Sequence, residues 1–521
     1  MAFFDIQQEN LYHGLVVWFS VPDKKLKRIL DEVIWHRRHL ENREKMTELI
    51  RDLHDARGLS DLRALQQRLL EAVLAAEAEQ RTAQAKKEAA GSAIGTIEQK
   101  RGRGRLADED EARLLELRHE SEERRLEVEV LQRVRRQLRG VGDGLLWKAV
   151  DFNRVYVYAV SDAPGAGNAF LSGPEGLAAE LETVESLWRN KGALAVMHDL
   201  TNCGRIGDLT IVAPGETFKV AEVKASGSLD PKQMRRMKDM VRFLKGAEKP
   251  VDGGYTARVV APDDASPHEP ERWESNNWEP YVRALVDAGN NGLGWATVGD
   301  YLGVVAVSVL HPMREEMRAK SSSDGEFERL RDEAWKPAYE ALGETIVTRE
   351  QDVVVFWDSS EKYEEGLLGA PFSIYPLPPE FCAALECDYV KMMVHENVTN
   401  FCGGLSGEGF DVTAAPSLAG KKRSDQTFHH VYLSRPGSAS DGGKGSPRIH
   451  LGKPLMQQVL GEAMSVETVA AAARSQMAVM AEGQEVSLLL VNGDGGRVVS
   501  ALPASGAATQ GPDPTVEFWD P

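Results

Sequence analysis

The sequence predicts a multidomain α/β protein, and three patterns along the chain support this fold class. After a short N-terminal segment, residues 1–23, a stretch rich in Leu, Ala, Glu, Arg, Lys and Gln predicts a long helical, coiled-coil-like hairpin over residues 24–140. Helix-type and strand-type periodicities over residues 141–262 predict a central domain in the order α-β-β-β-α-β. Separate strand and helix patterns over residues 263–521 predict a C-terminal mixed α/β domain with loops rich in Gly, Ser and Pro.

The composition limits the functions that the chain can have. With 521 residues it is too long for one ordinary core. Its net charge of −18 argues against a surface that binds nucleic acid throughout, so contact with DNA is expected only on a local basic patch. The cysteines lack the spacing of a zinc site or a disulfide framework, which favours buried thiols in a reducing compartment. Without a convincing secretion signal or membrane span, a cytoplasmic protein with no membrane partner is expected.

The helical hairpin is predicted from the spacing of its apolar residues. Leucines and alanines recur three and four positions apart over residues 59–76 and less regularly over residues 114–138, which is typical of helices that pack along their length. The tip is expected around residues 95–110, where residues 100–105 carry several lysines and arginines. This tip could contact nucleic acid or a partner, or could be solvated. A homo-oligomer or a partner protein is expected to assemble through the hairpin.

The central domain is expected to begin at a glycine-rich stretch, residues 140–144, and to end at a polar stretch with several prolines, residues 262–277. Between them, six segments carry clear helix or strand patterns. They are a helix over residues 176–188, strands over residues 193–197, 206–212 and 218–225, a helix over residues 231–245 and a strand over residues 255–261. A turn at residues 213–216 joins the second and third strands into a hairpin.

Three charged residues stand on this hairpin. Asp208 interrupts an apolar second strand, and Glu222 and Lys224 are two positions apart and so point from one face of the third strand. Two carboxylates beside an ammonium can hold a hard divalent cation and a water molecule near a phosphate. The alternative is a solvated ion pair on the exposed face of a strand.

The spacing D-x13-E-x-K within this order of elements resembles the signature of the PD-(D/E)xK nuclease superfamily. The resemblance implies a restriction-endonuclease-like core that hydrolyses DNA, with RNA not excluded, leaving a 5′-phosphate and a 3′-hydroxyl. It implies Mg²⁺, or Mn²⁺, bound by Asp208, Glu222 and the carbonyl of Val223. Lys224 would orient the attacking water or stabilise the transition state.

The flanking segments contain further candidates. Gln233 begins the second helix, where several branches of the superfamily carry a glutamine near the active site, although the tyrosine that often follows it is missing here. The first helix offers three glutamates, of which Glu182 is preferred over Glu180 and Glu185 as a catalytic residue; most glutamates on such a helix are solvated. The second helix has a basic face that is predicted either to bind the phosphate backbone or to be an ordinary surface. This face contains Lys232, Arg235, Arg236 and Lys238.

Two functions of different classes follow from these residues. The first is a Mg²⁺-dependent endonuclease, an effector of a bacterial anti-phage or restriction system by analogy of architecture. The second is a catalytically inactive nuclease-fold scaffold or nucleic-acid-binding regulator that assembles through its coiled coil. The presence of Asp208, Glu222 and Lys224 together favours the enzyme, because an inactive copy has no chemical reason to retain all three.

Overall fold

In the part of the chain that the structure describes, the protein is mixed α/β with long N-terminal helices and three β-sheets, which confirms the fold class that the sequence predicts at this level. The structure is a computed structural model. It describes residues 33, 35–101, 107–161, 174–215, 218–223, 231–245, 249–251, 255–260, 278–299, 301–308, 329–330, 333, 353–357, 370–415, 430–436, 447–451, 453–462, 464–478, 480, 484–491 and 498–503.

Three helices form the N-terminal part: α1 (Arg37–Asp55), α2 (Leu59–Arg101) and α3 (Asp108–Ala149). Helices α2 and α3 pack along their length as an antiparallel hairpin. Contacts occur both near the tip, where Lys100 Nζ lies 3.1 Å from Asp110 Oδ1, and near the base. The acidic first turn of α3 interacts favourably with the positive end of the helix dipole. The predicted helical hairpin is therefore present, and part of its expected basic tip, residues 102–106, lies outside the described residues.

The glycine-rich stretch expected at the start of the central domain does not interrupt α3. Residues 140–144 are helical and buried. Their small size is used for close packing, because a Cβ atom on Gly142 would overlap the carbonyl oxygen of Leu200. A Cβ atom on Gly144 would lie 2.6 Å from Leu53 Cδ2. The glycines thus allow other parts of the chain to approach the helix rather than ending it.

The segment after α3 contains most of the predicted central elements. Helices α4 (Arg154–Val160) and α5 (Pro174–Lys191) precede a three-stranded antiparallel sheet in the order β1-β2-β3. The strands are β1 (Leu194–Met197), β2 (Leu209–Val212) and β3 (Lys219–Ala221). Helix α6 (Pro231–Leu244) follows, and it buries Met237, Met240 and Phe243. Strands β2 and β3 are shorter than predicted, and residues 224–230 lie outside the described residues.

The strand predicted after α6 is present but belongs to another sheet. After β4 (Lys249–Val251), strand β5 (Tyr255–Val260) pairs antiparallel with β4 on one side and with β14 (Val498–Pro503) on the other. These two partners occupy both hydrogen-bonding edges of β5. From α5 to β5 the described elements therefore run α-β-β-β-α-β-β, with β4 as an additional strand before the predicted one. Among the described residues, the sheet next to Asp208 consists of β1, β2 and β3.

The remaining elements form the C-terminal part around two larger sheets. One sheet has seven strands in the order β10-β11-β12-β13-β14-β5-β4, with β12 and β13 parallel and its other pairs antiparallel. The other has four antiparallel strands in the order β6-β7-β9-β8. The elements are α7 (Trp278–Asn291), β6 (Leu293–Val298), β7 (Leu302–Ser308), β8 (Val353–Trp357), α8 (Pro379–Glu386), β9 (Val390–Glu396), α9 (Val398–Gly407), β10 (Asp411–Ala415), β11 (His430–Ser434), β12 (Arg448–Leu451), α10 (Lys453–Gly461), α11 (Val466–Ala478) and β13 (Glu485–Val491).

One hydrophobic cluster runs through all three predicted parts of the chain. It includes Leu65 of α2, Leu209 of β2 and Leu488 of β13. Buried ion pairs join the same parts. Arg154 and Glu462 form a bidentate pair, with 2.6 Å between Nη2 and Oε2, and both side chains are 1% exposed. The N-terminal helices and the C-terminal sheets therefore share a core.

Within the described ranges, every helix is too short or too polar to span a membrane.

Candidate functional site

The backbone just before Asp208 approaches strand β3 very closely. Gly207 has a φ of +70°, and a Cβ atom there would lie 2.5 Å from Val220 Cγ1 and 2.8 Å from the carbonyl oxygen of Ala221. The backbone N–H of Asp208 donates to that same carbonyl at 2.8 Å. A side chain at position 207 would push the two strands apart, so glycine is required for this contact.

Asp208 and Glu222 lie at the same end of the β2–β3 ladder. The last registered pair is Leu209 with Ala221, and the N–H of Asp208 donates to the carbonyl of Ala221, so Asp208 and Glu222 both lie just beyond this end of the ladder. Asp208 is half-buried, and Glu222 is 8% exposed. The two acidic residues that the sequence nominates therefore lie at the same end of one strand pair.

The N–H of Val223 fixes the orientation of the Asp208 side chain. It donates to Asp208 Oδ2 over 2.6 Å, a short, charge-assisted hydrogen bond. This bond ties the carboxylate to the backbone that links Glu222 to residue 224. Lys224 itself lies outside the described residues, so its place in the site stays a prediction from the sequence.

Glu180, rather than the preferred Glu182, is the buried glutamate of α5. It is 3% exposed and lies on the same helical face as Val184 and Leu187, which pack into the core. Glu182 is exposed because two residues correspond to about 200° of rotation around a helix. Glu185 is also exposed and pairs with Arg63 of α2 at 2.7 Å. Of the three glutamates, Glu180 is therefore the one on the buried face of α5.

Helix α6 contacts the segment that leads to Asp208. The Arg236 guanidinium donates to Gln233 Oε1 at 3.0 Å and to the carbonyl of Arg205 at 3.3 Å. Gln233 and Arg236 are half-buried in this contact. Lys232, Arg235 and Lys238 are exposed, as expected for a basic face that is open to solvent. Arg236, one of the four residues predicted to contact phosphate, therefore also packs against the segment before β2.

Asp208, Glu222 and the Val223 carbonyl supply oxygen atoms of the type that hard divalent cations prefer. In the described parts of the chain, no group of three or more His, Cys, Asp and Glu side chains is arranged to hold a metal ion. Mg²⁺ is commonly held by only one or two carboxylates, with water or phosphate oxygens completing the octahedron. A role of these oxygen atoms in binding Mg²⁺ or Mn²⁺ stays a prediction.

His198 is bonded to the chain just before β2 and to β2 itself, a role that the sequence does not reveal. Its backbone N–H donates to the Asp208 carbonyl at 2.8 Å, and its ring contacts the Gly207 carbonyl at 3.0 Å and Thr210 Oγ1 at 2.7 Å. Burial lowers the pKa of His198 to about 4, against the raising effect of its hydrogen bond to Gly207. The ring is therefore neutral near pH 7. A lone histidine at the end of a buried strand carries no periodic signal that would have predicted these bonds.

Asp143 of α3 is a second supporting residue that the sequence does not reveal. Its carboxylate is 2% exposed and accepts hydrogen bonds from the backbone N–H groups of Asn202 and Cys203 at 2.7 and 2.8 Å. Burial raises the pKa of Asp143, although these hydrogen bonds act in the opposite direction. In the sequence, Asp143 falls within the glycine-rich stretch that favours a loop, which concealed its place on a buried helix.

Comparison with known proteins returned no match to a family model, to a curated protein or to a solved structure. The geometry of the residues is therefore the basis for proposing a function.

Proposed function

We propose that the chain is a metal-dependent nuclease that hydrolyses phosphodiester bonds of DNA and uses Mg²⁺ or Mn²⁺. In this proposal, α5, β1, β2, β3 and α6 correspond to a restriction-endonuclease-like core. The last strand of the usual order is β5, which pairs outside the three-stranded sheet. A role as effector of a bacterial anti-phage or restriction system, and assembly through the α2–α3 hairpin, stay predictions from the architecture.

The observation that carries the proposal is the placement of Asp208 and Glu222 at one end of the β2–β3 ladder. A solvated ion pair would not need a glycine that brings the strands together, nor a 2.6 Å bond from Val223 N–H to Asp208 Oδ2. It would also leave Glu222 exposed, whereas this side chain is only 8% exposed. These features argue against an ordinary solvated ion pair.

In this proposal, the residues of the candidate site have separate roles in metal binding and hydrolysis. Asp208 and Glu222 would present oxygen ligands, and the Val223 N–H would prevent the Asp208 carboxylate from rotating away. A bound divalent ion would neutralise charge on the scissile phosphate and lower the pKa of a water. Lys224 would orient that water or stabilise negative charge in the transition state.

The exposed basic side chains of α6 would position the DNA. Lys232, Arg235 and Lys238 point to solvent from the helix whose Arg236 contacts the segment before β2. Contacts of this kind bind phosphates without reading the sequence. A local patch is consistent with the overall charge of −18, which disfavours nucleic-acid binding elsewhere on the surface.

The proposal is tested by cleavage assays on the purified full chain with plasmid, linear double-stranded DNA, single-stranded DNA and RNA, in Mg²⁺, Mn²⁺ or EDTA. We expect DNA cleavage that EDTA abolishes and that Asp208→Asn, Glu222→Gln or Lys224→Ala lowers by about 100-fold or more. Glu279→Gln is the control, since Glu279 is an exposed carboxylate on α7, outside the elements assigned to the core. It should retain full activity.

The inactive scaffold is the competing outcome of the same experiment. Intact substrates under all metal conditions, together with no metal-dependent heat signal in calorimetry, would show that the chain is not a metal-dependent nuclease. Cleavage that survives all three substitutions would show that the activity belongs to another site or to a contaminant.

A further inference from the structure

Helix α3 of the hairpin holds the segment that leads into β2 through one buried carboxylate. Asp143 accepts three hydrogen bonds from two consecutive residues: from the backbone N–H of Asn202 at 2.7 Å, from that of Cys203 at 2.8 Å, and from Asn202 Nδ2 at 3.0 Å. A single side chain of α3 thus fixes both the backbone and a side chain of this segment.

The helix backbone contacts the same segment directly. Asn202 Nδ2 also donates to the carbonyl of Arg136 on α3 at 3.1 Å. Gly142 lies so close to the Leu200 carbonyl that a Cβ atom would overlap it. The contact therefore includes both a carboxylate and a close approach of two backbones, which leaves little room for the segment to shift relative to α3.

The segment is bonded in turn to Asp208 and its neighbours. Thr201 Oγ1 donates to the carbonyl of His198 at 2.9 Å and accepts from the N–H of Gly204 at 2.9 Å. The N–H of His198 donates to the Asp208 carbonyl at 2.8 Å. Hydrogen bonds and the short backbone stretches between them therefore connect Asp143 to the backbone of Asp208.

We propose that Asp143 is a positioning residue for the candidate metal site: it sets the geometry of residues 198–207 and thereby the position of Asp208. This inference rests on the proposed function and adds a dependence on the helical hairpin, which lies outside the α-β-β-β-α set of elements. Metal affinity and cleavage then depend on how α3 packs against residues 200–203. Displacement of α3 would move one of the two carboxylate ligands.

The variant that tests this inference is Asp143→Asn. Its side-chain oxygen can still accept from the two backbone N–H groups, but its amide nitrogen faces Asn202 Nδ2, so that two donors meet and one bond is lost. The volume is unchanged, which limits other effects. The matched control is Gln137→Met, because Gln137 is a fully buried polar residue of α3 that bonds to Asn42 at 3.2 Å and not to residues 200–203.

Three measurements on the full-length variants separate the possibilities. Hydrogen exchange monitors the amides of residues 198–210, Mn²⁺ titration by calorimetry monitors the metal site, and steady-state cleavage separates kcat from KM. For Asp143→Asn we expect exchange of residues 201–210 to accelerate about 10-fold, Mn²⁺ affinity to fall about 10-fold and kcat to fall with KM for DNA unchanged. Gln137→Met should leave all three readouts at the wild-type values, even if its melting temperature falls.

Unchanged exchange or unchanged Mn²⁺ affinity in Asp143→Asn would overturn the inference while leaving the proposed nuclease intact. Equal losses in Gln137→Met would also overturn it, because they would show a general effect of destabilising α3. A wild-type chain that binds no Mn²⁺ and cleaves no DNA would overturn the proposed function and any metal role of Asp143. The exchange data would then still decide whether Asp143 positions residues 198–208.

Discussion

Gly207 controls the geometry of the candidate site at the scale of single residues. Its positive φ turns the chain into β2, and its missing side chain lets the backbone approach Val220 and Ala221 of β3. Asp208 consequently bonds to Ala221 of β3 through its backbone and to Val223, just after β3, through its side chain. The separation of the two carboxylates therefore depends on a residue that has no functional group.

We expect Gly207→Ala to lower the free energy of unfolding by about 2 kcal/mol or more, because the positive φ and the overlap with Val220 add to each other. The midpoint of urea unfolding measures this change. Gly215→Ala is the matched control, since Gly215 has a φ of +74° with no atom within 4 Å of its hypothetical Cβ. That substitution should cost only about 1 kcal/mol. Equal midpoints for the two variants would contradict the role of close approach.

Gln66 connects two elements, the hairpin helix α2 and the edge strand β1. Its side-chain amide donates to the carbonyl of Ala195 at 2.9 Å and accepts from the N–H of Met197 at 3.1 Å. These two bonds take the place of hydrogen bonds that a neighbouring strand would make at this edge of the three-stranded sheet. The hairpin contacts the sheet at two places, through Gln66 at β1 and through Asp143 before β2.

We expect Gln66→Leu to accelerate hydrogen exchange of the Met197 amide by about 10-fold or more, because two buried backbone groups lose their partner. Arg63→Gln provides the control, since Arg63 lies one turn earlier on α2 and contacts Glu185 and the Trp188 ring of α5. This second change should leave exchange in β1 unaffected. Slow exchange of Met197 in Gln66→Leu would indicate that core packing alone protects the edge.

The sequence predicts local elements well and their partners poorly. The helix pattern over residues 59–138 and the apolar runs of β1, β2 and α6 depend on periodicity, which the sequence carries directly. The pairing of β5 with β14 depends on hydrogen bonds between residues far apart in the chain, for which no local pattern exists. The same holds for the site: spacing nominates Asp208 and Glu222, whereas Asp143 and His198 act through tertiary contacts.

At the scale of the whole molecule, the ion pair between Arg154 and Glu462 joins helix α4 to the C-terminal part of the chain. Glu462 Oε1 also accepts from the backbone N–H of Ala370 at 2.7 Å, and Arg154 stacks over Trp147 with 4.8 Å between its guanidinium carbon and the ring centroid. These contacts join α3, α4 and the end of α10 within one shared core. Loss of either charge would leave the other buried without full compensation.

We expect Glu462→Gln to lower the stability of the whole molecule by about 3 kcal/mol, because removing one partner of a buried pair costs more than the pair itself contributes. Calorimetry combined with circular dichroism should show helix and sheet signals lost together at a lower temperature. Glu408→Gln is the control, since its partner Arg474 is 51% exposed. It should change stability by less than about 1 kcal/mol. A shift in only one of the two signals would mean that the helices and the sheets unfold in separate transitions.

The β5–β14 pairing also has a consequence for folding during synthesis. Strands β1, β2 and β3 find their partners within a short stretch, so this sheet can form soon after it leaves the ribosome. Strand β5 can pair with β14 only after residues 498–503 have been synthesised. Between these two moments, one edge of β5 is a free template for strands of other chains. A nascent chain that stalls between β5 and β14 is therefore at greatest risk of aggregation, and chaperone protection is most needed in that interval.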